Sequence, residues 1–212
     1  MTDIKLKDYY EEVSRELADE YTQKALIATT FKNFTPDLMR QAIVEGMIRW
    51  FEFKNFLQKD VYAIKYGSGY TLITSIDYSR KIGQKSGIVW KTEPVFEIWA
   101  ENKIISCTVT VKKRFQEGYV GDFSAKVYFD EYNTNMQNWK TKPRTMIAKV
   151  AEMHALRMAC PEEMRQQYVE EEFAKGSSDV VQHTAEEMLS SITPATVEET
   201  TTPELSISPV TQ

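Results

Sequence analysis

Four stretches of the chain set cations beside aromatic rings. Lys65 precedes Tyr66, Tyr78 neighbours Arg80 and Lys81, Lys112, Lys113 and Arg114 precede Phe115, and Trp139 stands ahead of Lys142 and Arg144. Such pairs suit a polyanion whose phosphates run continuously and whose bases stack, each stacked base contributing about 1–3 kcal/mol. A plainer reading stands beside this one. Most tyrosines and phenylalanines are expected in the core, and lysines near a strand end also block edge pairing. Covalent chemistry has less support. The two histidines, His154 and His183, and the two cysteines, Cys107 and Cys160, show no metal-ligand spacing. No elbow motif presents a nucleophile. The GQKSG run at 83–87 lacks the order of a phosphate loop, since no glycine stands five before a Gly-Lys-Ser/Thr. The residues describe a binder.

The element that must position these groups is the run at 139–161, WKTKPRTMIAKVAEMHALRMACP. Pro143 suits a first helical turn, strong helix formers follow, and Pro161 disfavours continuation. At about 100° per residue Ile147, Val150, Ala151, His154 and Met158 share an apolar stripe, and Lys142, Lys149, Met153 and Arg157 share another side. His154 is expected to be a satisfied core residue.

Upstream, residues 8–28 are helix-prone. Thr35-Pro36 starts a second helix expected to run to about residue 53, with Met39, Ile43, Met47 and Trp50 in the core. Residues 61–66 and 70–74 flank Gly67-Ser68-Gly69, a hairpin signature, and a short helix comes next at 75–82. Period-two alternation then predicts three antiparallel strands near 95–101, 104–115 and 122–130. A short acidic helix is expected at 162–173. The fold class predicted is α+β, with a β-hairpin and a three-stranded antiparallel meander packed with about five helices.

Beyond Gly176 the sequence has no aromatic residue, no lysine and no arginine, so it cannot bury enough apolar surface to offset its ordering entropy. We read 1–175 as one domain and 176–212 as a disordered acidic tail. The net charge of −5 hides a polarity, because residues 59–160 hold 16 Lys and Arg against 10 Asp and Glu. A polyanion meets that local surface, over a Debye length of about 10 Å. Cysteine usage, the absence of an apolar leader and the lack of a long apolar run predict a soluble intracellular protein.

The ordered set formed by residues 24–57, VYAIKY at 61–66, ITSIDYSRKI at 73–82 and the 139–159 run resembles the phage single-strand annealing recombinases of the Redβ/RecT family. The resemblance implies ATP-independent binding of single-stranded DNA, annealing through a duplex intermediate, homo-oligomeric rings or filaments, and no catalytic residue. It implies a cytoplasmic setting in the host cell, no membrane, and a phage exonuclease and a host single-strand-binding protein as partners. Arg144 and Arg157 fall on family basic positions, Lys65 and Arg80 lie in its hairpin and short-helix motifs, and Lys149 is a neighbour rather than a clean match. With Lys81, Lys112, Lys113, Arg114 and Lys142 these make the expected DNA-binding set. No cofactor is implied, and a Mg²⁺ requirement leaves no mark in the sequence. Redβ itself carries a folded helical C-terminal domain where this sequence has only an acidic tail, so the resemblance implies partner contacts that are either lost or run through a short peptide. The alternative class is a non-annealing single-strand-binding protein or interaction scaffold.

Overall fold

The computed structural model describes residues 6–66, 69–100, 103–165 and 167–173. The loop at 67–68, the turn at 101–102, and the boundary and disorder expected at 176–212 lie outside the described residues. The helix-prone segment 8–28 is two helices, α1 (Leu6–Glu16) and α2 (Glu20–Thr29). Asp19 divides them: it is extended, and its carboxylate accepts from the Thr22 amide at 2.9 Å and hydroxyl at 2.7 Å, capping a new helix. Helix α3 (Pro36–Ile48) begins as expected, Thr35 Oγ1 accepting from the Leu38 amide at 3.3 Å.

The end of α3 differs from expectation. Trp50 takes a left-handed φ of 75° and is 87% exposed, so it stops the helix and leaves the core that helical spacing assigned it to. Residues from Phe51 turn back into α4 (Phe53–Leu57), and Phe56 fills the place against Gly46, where a Cβ would stand 2.5 Å from its ring. Val13, Leu26, Phe31, Met39, Ile43 and Phe56 form this first core. The hairpin β1 (Val61–Tyr66) and β2 (Gly69–Thr74) closes it in the expected antiparallel register, Lys65 opposite Tyr70.

Ser75 caps α5 (Ile76–Lys85), accepting from the Tyr78 amide at 3.1 Å. A four-stranded antiparallel sheet comes after it: β3 (Ile88–Lys91), β4 (Val95–Ile98), β5 (Ile104–Arg114) and β6 (Val120–Tyr128). Along one side of β5 lie β3 and then β4; along the other lies β6. The meander is present, with a first rank broken at 92–94 by Pro94, which has no amide proton to donate. Thr92 bridges the break, its amide donating to the Thr110 carbonyl at 2.9 Å and its hydroxyl accepting from the Thr110 amide at 3.1 Å.

After α6 (Phe129–Tyr132) and α7 (Gln137–Thr141) comes α8 (Pro143–Ala159), laid across one sheet face. Cys107, Val109 and Val127 meet Ile147, Val150 and Ala151, while Met153, Leu156 and Cys160 pack with Met164 and Val169. Because both flanks are covered, α8 is buried over most of its circumference. Met153, expected beside the cations, is fully buried, and Met158, expected on the apolar stripe, is exposed.

The acidic helix expected at 162–173 is absent. Residues 161–165 turn and 167–173 return as a strap carrying a single 3-10 turn, Glu170–Glu172. The Thr74 amide donates to the Tyr168 carbonyl at 2.9 Å, and Val169 is buried, so tertiary contacts replace helical ones.

Candidate nucleic-acid interface

The expected DNA-binding cations fall into two groups. Lys65, Arg114, Lys142 and Arg144 are exposed, and no ion pair engages them among the described residues. The others already have protein partners. Arg80 grips Glu152 through Nε at 2.7 Å and Nη2 at 2.8 Å and reaches Asp77 at 2.8 Å. Lys81 meets Asp60 at 3.0 Å, Lys112 meets Asp122 at 3.1 Å, and Lys149 meets Glu171 at 2.6 Å. Arg157 makes a bidentate pair with Glu172, at 2.9 and 2.5 Å, and its guanidinium lies over the Tyr168 ring. Lys113 donates to the Ala159 carbonyl at 2.8 Å, completing the end of α8, and lies over Phe115.

Two carboxylates anchor this network. Glu152 is 4% exposed and is also held by Lys91 at 2.8 Å. Burial alone would raise its carboxyl, but Arg80 and Lys91 outweigh burial and hold it below the ordinary carboxylate range. Glu172 behaves alike: burial opposes ionisation, and His154, Arg157 and the Val169 amide keep it lowered. His154 is half-buried, 3.1 Å from the Tyr132 hydroxyl and 3.4 Å from Glu172.

A carboxylate whose folded pKa lies below its unfolded value of about 4.3 contributes stability that is fully present above that value. The contribution is lost as pH falls through the folded pKa. The melting temperature is therefore expected to be level from pH 7 to about 5 and to fall steeply below about pH 4, followed by circular dichroism. An unchanged melting temperature at pH 3 would exclude these pairs as contributors.

Besides Arg114 at the end of β5, two basic places stand open among the described residues. One is a cleft of about 480 Å³ walled by the α2–α3 connection, the turn before β1, and β1 itself. Lys32, Lys59 and Lys65 line it, with Tyr62 and Glu170. Its walls are braced: the buried Thr30 hydroxyl donates to the Phe56 carbonyl at 2.9 Å, and the Ala63 amide donates to the Thr30 carbonyl at 3.2 Å. Lys32 and Lys59 are missing from the expected set because each is an isolated lysine in a separate turn. Their signal is local: Lys59 and Asn33, next to Lys32, have left-handed φ values of 58° and 66°, turn geometry that throws the side chains outward.

The other place is the start of α8. Lys142 serves as the C-cap of α7 and the N-cap of α8, with no side-chain cap bond, and Pro143 brings no amide proton. Lys142 and Arg144 therefore flank a helix end that already favours anions. Arg144 lies 5.6 Å from the centre of the Phe96 ring, a cation over an aromatic face.

The chemistry of the remaining groups is quiet. Cys107 and Cys160 are buried and free, and burial pushes the Cys107 thiol up to about 11. Among the described residues no group of three or more His, Cys, Asp and Glu is placed to hold a metal ion. Among the same residues no helix is long and apolar enough to cross a membrane.

Compared with known proteins, an uncharacterized protein of Ureaplasma parvum serovar 3 is 33% identical over 109 residues, 50% of this chain and 47% of that protein. The chain thus spans about half the length of the curated relative it matches. No solved structure matches it. Residues 20–187 match the RecT family, and that span takes in the first core from α2 onward, the hairpin, the sheet, α8 and the strap. The chain belongs to the RecT family.

Proposed function

We propose that the chain binds single-stranded DNA and anneals complementary strands without ATP, as an oligomer in phage-type recombination in the host cytoplasm. Membership of the RecT family carries the reading. The braced cleft and the open start of α8 support it, offering lysines and arginines that no carboxylate pairs among the described residues, beside aromatic rings. In this reading Lys65, Arg114, Lys142 and Arg144, joined by Lys32 and Lys59, meet phosphates directly. Arg80, Lys81, Lys112, Lys113, Lys149 and Arg157 reach a strand only by exchanging a protein partner for it. Annealing needs no covalent step. A strand whose phosphates are neutralised presents its bases to a complement without two bare backbones repelling, and protomers side by side lengthen the track. A phage exonuclease and a host single-strand-binding protein are the proposed partners.

The test mixes two dye-labelled complementary oligonucleotides with pure protein, with and without ATP. Annealing is expected to be equally fast in both arms. The affinity for one strand should fall with salt, log K sloping roughly −0.7 per phosphate neutralised. Binding without accelerated annealing would favour the alternative, a single-strand-binding protein. Strict need of ATP, or salt-insensitive affinity, would overturn the proposal.

A further inference from the structure

The cleft of Lys32, Lys59 and Lys65 already holds one carboxylate. Glu170 lines it and accepts from the Tyr62 hydroxyl at 3.1 Å. Glu170 belongs to the strap, and the strap cannot drift away. Tyr168 is fixed to Thr74 through its carbonyl, Glu171 to Lys149, and Glu172 to Arg157. Phe173 follows three residues past Glu170, its ring 6.0 Å from that of Tyr168. From Gly176 onward, past Lys175, the sequence is chemically one-sided: residues 176–212 carry Asp179, Glu186, Glu187, Glu198, Glu199 and Glu204, with no lysine or arginine.

We infer that the cleft is the docking surface for this chain's own residues 176–212, whose carboxylates stand where a strand's phosphates would. The inference rests on the proposed single-strand binding only for its consequence, which is that a strand must displace this segment to enter. Charge complementarity supports the assignment. Two cations beside the strap, Lys149 and Arg157, are already neutralised by Glu171 and Glu172, whereas among the described residues no ion pair engages the cleft lysines. Reach also suffices. Asp179 is six residues past Phe173, a span of up to roughly 20 Å when extended. Tethering supplies the rest, because a segment on the same chain acts at an effective concentration of about millimolar, at which weak lysine–carboxylate contacts compete.

Carbodiimide coupling of the whole chain at low salt, with the joined peptides read by mass spectrometry, tests the docking without nucleic acid. Coupling of Lys32, Lys59 or Lys65 to an acid between 179 and 204 within one chain is the expected result. No coupling, or coupling to Lys140 and Lys142 or between isotopically distinct chains, overturns it. In parallel, oligo(dT) binding is compared with that of the whole chain carrying Asp179→Asn, Glu186→Gln, Glu187→Gln, Glu198→Gln, Glu199→Gln and Glu204→Gln. The variant should bind roughly three- to tenfold more tightly at about 50 mM salt, a gain that closes as screening shortens toward about 3 Å at 1 M. Equal affinity at low salt overturns the competition. Coupling in a chain that fails to bind oligo(dT) would sink the proposed function and leave the docking standing; binding without coupling would do the reverse.

Discussion

Replacing Lys32 by Gln, Lys59 by Asn and Lys65 by Gln in one chain is expected to weaken single-strand binding about 10²-fold near 0.1 M salt. Each phosphate neutralised contributes roughly 0.7 to the slope of log K against log salt, so three lost contacts remove about 2 from the slope. The fold should not notice. All three side chains are exposed, and exposed substitutions away from caps and packing stay within about 0.5 kcal/mol. Asparagine is chosen at 59 because it tolerates the left-handed φ of 58° found there. Affinity is measured by fluorescence anisotropy from low to high salt, with a melt to confirm folding. An unaltered slope would remove the cleft from the strand's path.

Removing Arg80 and Lys91 together should cost about 3–5 kcal/mol, because it strands the Glu152 carboxylate at 4% exposure without a cation. The asymmetry of the cluster sets this choice. The side chains of Arg80 and Lys91 are 39% and 40% exposed and can rehydrate if Glu152 is removed, whereas Glu152 is 4% exposed and stands on the buried side of the cluster. Adding Glu152→Leu to the Arg80→Ala/Lys91→Ala chain should therefore restore most of the loss, since a buried ion pair replaced by packed apolar groups is often neutral. Denaturant melts of the three chains decide it. A double variant as stable as its parent would show that Glu152 finds water. The rescued chain also separates two roles for Arg80: full recovery of strand binding makes it a girder between α5 and α8, and recovered folding with weak binding makes it a phosphate contact.

Local signals are legible wherever the deciding atoms lie close in sequence. Thr35 and Ser75 cap helices through amides three residues away, Pro143 starts α8 by its fixed φ, and the hairpin strands pair in the antiparallel register that their β-branched pattern suggests. Trp50 continues a helical period that its own left-handed backbone interrupts, so spacing places in the core a side chain that stands in solvent. The acids at 170–172 suggest a solvated helix, but each is taken by a distant partner: Tyr62, Lys149 or Arg157. Likewise α8 shows a basic side in projection, and two of its cations, Lys149 and Arg157, are paired across gaps that periodicity does not span. Lys32 and Lys59 meet Lys65 only after the first core has closed.

The strap has a consequence for how the chain is made. The contacts it closes join residues far apart: 94 positions separate Thr74 from Tyr168, and 108 separate Tyr62 from Glu170. Helices α1 to α4 and the hairpin can assemble as the ribosome delivers them, but the amide of Thr74 waits for a carbonyl made 94 residues later. Contacts of such separation form slowly, and a bare strand end in the interval pairs with whatever strand arrives. On a crowded polysome the neighbour's strap offers the same Tyr168 carbonyl and the same Glu171 and Glu172. Exchange of straps between sister chains would satisfy the same bonds as closure within one chain, so a swapped dimer is the expected side product of fast synthesis, to be sought by size-exclusion chromatography of freshly expressed protein.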